Sequence, residues 1–357
     1  MTIHVLKGLN FRRFEAFHLE CHPHFNVVIG PNGAGKTSLL EAIYVLSRGK
    51  SFRTTRRHRL WRHGADAFSL RAELSDPLGR RLKLKLDADA QGLNVRLQDE
   101  PIRVLSAISP LLPVQLLDPR ETPLVAGSPR DRRRFLDWGL FHVEPRFHHH
   151  WQMYERALGQ RNAALRAAAS ESVLIGWEKT MVTHGEVLDQ MRRAYLTELM
   201  PLMDTYREKL ACTASLECRY QPGWPRERSF TESIHSHRAR DRLQGFCSIG
   251  PHRADIDIRI DGIAAAHHLS RGEEKRWTYA FLLAQIAYMK HKTDREPIVL
   301  IDDPVSELDE QHWARLSELL TSLPAQQFIT LIDSRYVPRT ADYGVFHVEQ
   351  EPASRMV

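Results

Sequence analysis

Val27-Val28-Ile29-Gly30-Pro31-Asn32-Gly33-Ala34-Gly35-Lys36-Thr37-Ser38-Leu39-Leu40-Glu41-Ala42-Ile43-Tyr44 reads as a buried strand, a phosphate loop and a helix in one uninterrupted run. Gly30 to Thr37 matches G-x-x-x-x-G-K-T, in which small residues let backbone N–H groups close round a polyphosphate. Lys36 offers a point charge to the β- and γ-phosphates, and Thr37 offers a hydroxyl to Mg²⁺. The helix that follows aims its positive end at the same anion. Gly30, Pro31, Asn32, Gly33, Ala34, Gly35, Lys36, Thr37 and Ser38 are the candidate nucleotide-binding residues. Such a string also arises by chance in unrelated chains, so its context decides. Here a β-branched run precedes it, and Leu39, Leu40, Ile43 and Leu46 recur at helical spacing after it.

The chain has 357 residues, enough for one large or two modest folded domains. Lys and Arg exceed Asp and Glu by six, 50 against 44, and the sequence pI is 9.2. That balance points towards a polyanionic partner. Cys21, Cys212, Cys218 and Cys247 form no C-x-x-C pair and lie near no His at zinc spacing, so reduced thiols in a cytoplasmic protein are expected. Met1 to Leu6 alternates like a strand and lacks the features of an export signal. The longest uncharged helical stretch, Trp277 to Met289, is well short of the roughly 18 apolar residues of a membrane span, so no membrane partner is expected.

Around the phosphate loop, Ile3–Leu6, Phe14–Leu19 and Phe25–Ile29 read as strands. Asn10-Phe11-Arg12-Arg13-Phe14 lies between the first two, where its aromatic and Arg side chains either meet a nucleotide base or serve packing. Arg48 to His63 carries seven Lys or Arg, no acid, and the interleaved aromatics Phe52 and Trp61. This favours contact with a phosphate backbone, with the alternative that one of its arginines reaches the nucleotide. Phe68 to Leu97 alternates as an antiparallel meander with turns at Asp76-Pro77-Leu78-Gly79 and Gln91-Gly92. Pro101, Pro110 and Pro113 then break the chain, and a domain seam is placed near residue 112.

A mainly helical section follows. In it Leu188, Met191, Tyr195, Leu199, Leu202 and Tyr206 form one stripe, and Pro201 either kinks that helix or starts another. Leu269-Ser270-Arg271-Gly272 opens a further helix, with Ser270 and Gly272 at an anion-receptive N-terminus. Pro297-Ile298-Val299-Leu300-Ile301-Asp302-Asp303 is a buried strand ending in two carboxylates, suited to a metal ligand followed by a water-orienting residue. Ser306-Glu307-Leu308-Asp309 comes next, then a last strand, Phe328 to Ile332. The expected organisation is an α/β fold with an ATPase lobe in 1–112, a mainly helical lobe in 113–289 carrying the Leu-Ser-x-Gly string, and a return to the first lobe in 290–357.

Strand, phosphate loop, Leu-Ser-x-Gly helix, Asp-Asp strand and Ser-Glu-Leu-Asp is the order of an ABC-type (SMC-like) ATPase head with an inserted helical lobe. Within that class the chain resembles the RecF family of bacterial DNA replication and recombinational-repair proteins. The resemblance rests on Gly30 to Thr37, Arg132-Arg133-Arg134-Phe135-Leu136-Asp137-Trp138, Gly250-Pro251-His252-Arg253-Ala254-Asp255, Leu269 to Gly272, Ile301 to Asp303 and Ser306 to Asp309, and it runs to about residue 337. It implies an ATP-switched DNA clamp in which two heads sandwich two ATP and form an ATP-dependent homodimer. Ser270, Arg271 and Gly272 of one subunit would meet the γ-phosphate held by Lys36 of the other. It further implies that Thr37 and Asp302 hold Mg²⁺, that Gln115 plays the Q-loop role at metal and water, and that Asp303 stands where many relatives have a catalytic Glu. The implied partners are double-stranded and gapped DNA with RecR and RecO, helping to load RecA. Gly272 is followed by Glu273-Glu274 where the family commonly has Gln, which puts negative charge close to the triphosphate.

Two other classes share the ATPase motifs. A transporter's nucleotide-binding subunit is opposed by the missing switch His in Thr330-Leu331-Ile332-Asp333, by the long stretch between Gln115 and Ser270, and by the basic run. A scaffold that binds ATP without turning it over is the other.

Overall fold

The structure is a computed structural model that describes residues 1–102, 108–118, 123–338 and 342–349; the end of the 290–357 stretch lies outside them. The chain divides into two compact units, Met1–Thr122 with Lys209–Ala211 and Met289–Val357, and Pro123–Glu208 with Cys212–Tyr288.

The first unit opens with a hairpin of β1 (Thr2–Phe11) and β2 (Phe14–Glu20), turned at Arg12 in the left-handed region (φ 56). Next, β3 (Phe25–Ile29) is buried along its whole length, as its β-branched run demands, and leads into α1 (Lys36–Arg48). β4 (Phe68–Ser75), β5 (Arg81–Asp89), β6 (Gly92–Leu97) and β7 (Glu100–Pro101) extend the hairpin into an antiparallel sheet of order β2-β1-β4-β5-β6-β7. In β5 the alternation sends Leu84, Leu86 and Ala88 to the core. The short helix α2 (Ile108–Leu111) and strand β8 (Val114–Leu117) follow. The seam expected near 112 therefore lies too early: β8 pairs with a strand of the first unit, and the division falls after Thr122.

The second unit contains α3 (Pro129–Val143), α4 (Phe147–Arg166) and α5 (Glu171–Lys209), then β9 (Glu217–Gln221), α6 (Phe230–Gln244), β10 (Asp255–Ile260), β11 (Ile263–Ala264) and most of α7 (Arg271–Thr293). The three strands form an antiparallel sheet of order β11-β10-β9. Pro201 does not divide α5. It sits exposed inside one continuous 39-residue helix. Arg161 has no exposed surface and is shared by two carboxylates, Glu178 (2.9 Å) and Asp241 (2.8 Å). The strings Arg132 to Trp138 and Gly250 to Asp255 meet each other. Arg132 clasps Asp255 at 2.7 and 3.0 Å, Arg133 donates to the Ala254 carbonyl, and Arg192 joins Asp137 to the Pro251 carbonyl. In the same string His252 Nδ1 accepts from the Tyr154 hydroxyl (2.7 Å) while Nε2 donates to the Cys247 carbonyl (3.1 Å).

The chain returns to the first unit with β12 (Ile298–Ile301), α8 (Glu310–Thr321), β13 (Gln327–Leu331) and β14 (Gly344–His347). These complete a parallel sheet of order β14-β3-β13-β12-β8. α1 touches strands of both sheets, so nearly every residue of it is buried and its apolar positions surround it rather than forming one stripe. All five parallel strands point their carboxyl ends the same way, the end at which open α/β sheets bind ligands.

Burial pushes the His252 pKa down to about 4. Its neutral form is held in the folded protein, so the stability it confers is present above the ordinary value near 6.5 and is lost as pH falls towards 4. Urea unfolding is expected to show a loss of about 2 kcal/mol from this group between pH 7 and pH 5. His252→Gln should lower stability at pH 7 and reduce that dependence.

Candidate nucleotide-binding site

The phosphate loop joins β3 to α1 at the carboxyl edge of the parallel sheet. Two of its glycines are there for want of space. A Cβ on Gly30 would lie 2.3 Å from the Val348 carbonyl oxygen. One on Gly35 (φ 110) would lie 2.7 Å from both Arg13 and Phe14. Lys36 is 7 % exposed and donates to the carbonyls of Gly30 (2.7 Å) and Pro31 (3.1 Å). Burial lowers its pKa, with Asp303 and Asp302 acting in the opposite sense.

Thr37, in the first turn of α1, donates its hydroxyl to Asp302, whose two oxygens lie 2.9 and 3.0 Å away. On β13 the Thr330 hydroxyl donates to Asp302 (2.8 Å) and accepts the Asp303 N–H (2.8 Å). Asp303 is held in the left-handed region (φ 45, ψ 56), a strained conformation for a residue with a side chain, and its Oδ1 is buried without a hydrogen-bond partner. Among the described residues no three His, Cys, Asp or Glu side chains are grouped to hold a metal by themselves. One hydroxyl and one carboxylate nevertheless fit Mg²⁺, which takes few protein oxygens and completes its shell with phosphates and water.

A cleft of about 970 Å³ opens over the loop, lined by Asn32, Gly33, Gly35, Lys36, Thr37, Ser38, Asp302 and Asp303, by Glu15, which pairs with Arg62, and by a group of basic residues. These are Arg12 and Arg13 from the β1–β2 turn, and Arg53, Arg59, Arg62 and His63 with Trp61 from the basic run. The run expected on a DNA backbone thus gives several of its side chains to this cleft, while Arg56 and Arg57 are exposed outside its lining. Phe11 and Phe14 are core residues, 0 % and 1 % exposed, so packing accounts for both aromatics between the first strands. Arg13 donates to the Gly33 carbonyl.

Gln115 is not brought to the cleft. In β8 it pairs with Val299 of β12, two positions short of the register of Ile301, so it lies back from the carboxyl ends of the strands. Its side chain is buried, and its Oε1 has no partner. Thr330, by contrast, belongs to the site without carrying any motif in the sequence. The available signal was a small polar residue within the apolar strand Phe328-Ile329-Thr330-Leu331.

In the second unit Ser270 precedes α7 as its cap. Its N–H and hydroxyl donate to Glu273 (3.0 and 2.8 Å), and Thr213 donates to the other Glu273 oxygen (3.2 Å). These bonds, those from Ser270 first, hold the Glu273 pKa below the usual carboxylate value. Glu274 accepts the Ala126 N–H (3.3 Å). Both acids after the signature glycine thus have partners within the unit. Ser270, Arg271 and Gly272 are exposed, and a Cβ on Gly272 would meet nothing within 4 Å.

A phosphate loop, a threonine bonded to a strand-end aspartate, and a helical unit that starts a helix at Leu-Ser-x-Gly define an ABC-type ATPase head of the SMC kind. The RecF/RecN/SMC N terminal domain family matches residues 2–353. The "DNA replication and repair protein RecF" of Thioalkalivibrio sulfidiphilus is 38% identical over 349 residues, 96% of each chain, and that of Proteus mirabilis is 36% identical over 345 residues, 95% of each. The chain belongs to the RecF family. Its fold is that of a solved structure described as the recombination mediator protein RecF-ATP in the RecFOR pathway, at a TM-score of 0.87 and 21% identity, covering 97% of this chain and 95% of that one. An Smc head bound to the C-winged helix domain of ScpA superposes at 0.61 with 14% identity, covering 100% and 97%.

Thr330→Val removes the hydroxyl that both aspartates use and leaves the half-buried Asp303 N–H without this acceptor. A stability loss of about 1–2 kcal/mol is expected in urea unfolding, together with weaker Mg²⁺-dependent ATP binding measured by calorimetry.

Proposed function

We propose that the protein is an ATP-switched, DNA-binding clamp of recombinational repair. The observation that carries this reading is the bond from Thr37 to Asp302, residues 265 apart in sequence, at the mouth of a loop that buries Lys36. Lys36 and the loop N–H groups bind the triphosphate, and Thr37 and Asp302 would hold Mg²⁺. When bound, that ion neutralises charge on the β- and γ-oxygens. Asp303 would orient the attacking water and accept its proton. A carboxylate one methylene shorter than Glu suits slow turnover, as in a timer. Gln115 remains a proposed contributor only if its strand end moves.

Ser270, Arg271 and Gly272 would meet the γ-phosphate of a nucleotide bound to a second copy. Their exposure and the open space over Gly272 support this, since nothing in their own unit explains the glycine. The basic balance of the chain and the exposed Arg56 and Arg57 support a double-stranded or gapped DNA ligand. RecR and RecO are proposed as partners, and RecA loading as the outcome, because a fold neighbour is described as a recombination mediator of the RecFOR pathway. The transporter reading gains nothing from relatives named for DNA replication and repair.

Sedimentation with ATP, with ADP and with neither, each with and without a gapped duplex, tests the switch and the ligand together. Dimers specific to ATP and retained on DNA are expected, and an unchanged monomer in every arm overturns the clamp. Lys36→Met is expected to weaken ATP binding at least tenfold with the fold intact. Asp303→Asn should keep ATP binding, slow hydrolysis and prolong dimers; turnover at the wild-type rate removes Asp303 from the chemistry. Ser270→Arg should spare ATP binding to the monomer and abolish ATP-driven dimers.

A further inference from the structure

We propose that Glu41 is a positioning residue of the nucleotide cleft: one buried carboxylate that sets the places of two cleft arginines, Arg53 and Arg59, without touching the nucleotide itself. This rests on the ATP-binding reading above. Glu41 lies in α1, one turn beyond the phosphate loop, and has no exposed surface. Arg12 clasps it with two bonds, Nε to Oε2 at 2.6 Å and the terminal nitrogen to Oε1 at 2.5 Å, and Ser51 donates its hydroxyl to Oε1.

Each of these partners holds the backbone of the basic run with its remaining hydrogen-bonding capacity. The Ser51 hydroxyl oxygen accepts the N–H of Arg53 (2.9 Å) and of Thr54 (3.0 Å). The other terminal nitrogen of Arg12 donates to the Arg59 carbonyl (2.8 Å), and the Arg12 N–H donates to the Leu60 carbonyl (2.7 Å). Arg53 and Arg59 both line the cleft. The loop that carries them has no regular structure except one short turn at Arg57–Leu60 and an antiparallel bridge of Trp61 to Phe11, to which the Arg12 N–H bond belongs, so the side-chain tethers from Ser51 and Arg12 fix the stretch ahead of that bridge. A buried carboxylate binds such partners more strongly than it would at the surface. A glutamate on the phosphate-loop helix therefore ties the position of two cations to that of the loop, so that loop and arginines present themselves to a triphosphate as one body.

The test uses ATP itself, bound to the full chain and followed by calorimetry, with thermal unfolding alongside. Ser51→Ala removes the tether to Arg53 and leaves the Arg12–Glu41 pair in place, so it should fold normally. Its ATP affinity is expected to fall about fivefold with an unchanged melting temperature, and Ser51→Thr, which keeps the hydroxyl, should restore it. Glu41→Gln should lose more. In an Arg53→Ala, Arg59→Ala background Ser51→Ala should have no further effect, because Ser51 acts through those side chains. An undiminished affinity in Ser51→Ala, or an additive loss in the arginine-free background, overturns the proposal. Lys36→Met separates the two levels. If it too binds ATP like the wild type, the nucleotide reading fails; if it loses ATP while Ser51→Ala and Glu41→Gln keep it, only the positioning role of Glu41 fails.

Discussion

A threonine hydroxyl in the first turn of α1, bonded to a carboxylate at the end of β12, is the contact that ties the phosphate loop to the Asp-Asp strand end. The strand order explains how it forms. β13 lies between β3 and β12, so the phosphate loop and the Asp-Asp pair leave the sheet from strands that are not neighbours. Thr330 on the middle strand supplies the missing link by bonding to Asp302. Thr37 from the helix after β3, Thr330 from β13 and Asp302 just beyond β12 thus meet at one end of the five-stranded parallel sheet, which fixes their spacing. A parallel sheet assembled from segments hundreds of residues apart is what brings Thr37 and Asp302 within hydrogen-bond reach.

Around this contact the site concentrates features that folding alone would avoid. Asp303 occupies a left-handed conformation and buries an oxygen with no partner, and burial lowers the Lys36 pKa. The rest of the unit carries these costs. Strands buried on both faces flank the site, and α1 is enclosed by two sheets. The arginines above the loop sit on irregular chain and depend on tethers for their placing. Rigid elements therefore hold the phosphate end of the cleft, and side-chain bonds hold its cationic roof.

Much of this was legible in the sequence because the signals were local. β3 and β12 announce themselves as apolar β-branched runs, the glycines mark the loop, and the alternation from Phe68 to Leu97 gives the meander. What the sequence did not show is set by pairing between distant segments. The depth of Gln115 depends on the register of β8 against β12, which no local pattern encodes. The destination of the basic run depends on Glu41 and Arg12, which look in isolation like an ordinary helix acid and an ordinary turn cation. The seam near 112 was misplaced because prolines mark a break in regular structure, whereas β8 beyond them pairs back into the first unit. Arg132 and Arg133, basic in sequence, are occupied by Asp255 and the Ala254 carbonyl, so composition overstated the cationic surface available to a partner.

The wholly buried Arg161 has a consequence for how this lineage can change. Its guanidinium is the common counter-charge of Glu178 and Asp241, and Glu178 also binds Arg238. Replacing Arg161 alone would leave the interior Asp241 without its cation and Glu178 with Arg238 alone, and replacing either acid alone would leave the arginine half-matched. Each single step is costly, while a joint replacement by well-packed apolar residues need not be. The three positions therefore form one heritable unit: drift at any of them is blocked until the others move, and homologous chains should carry either the whole triad or a different interior in its place.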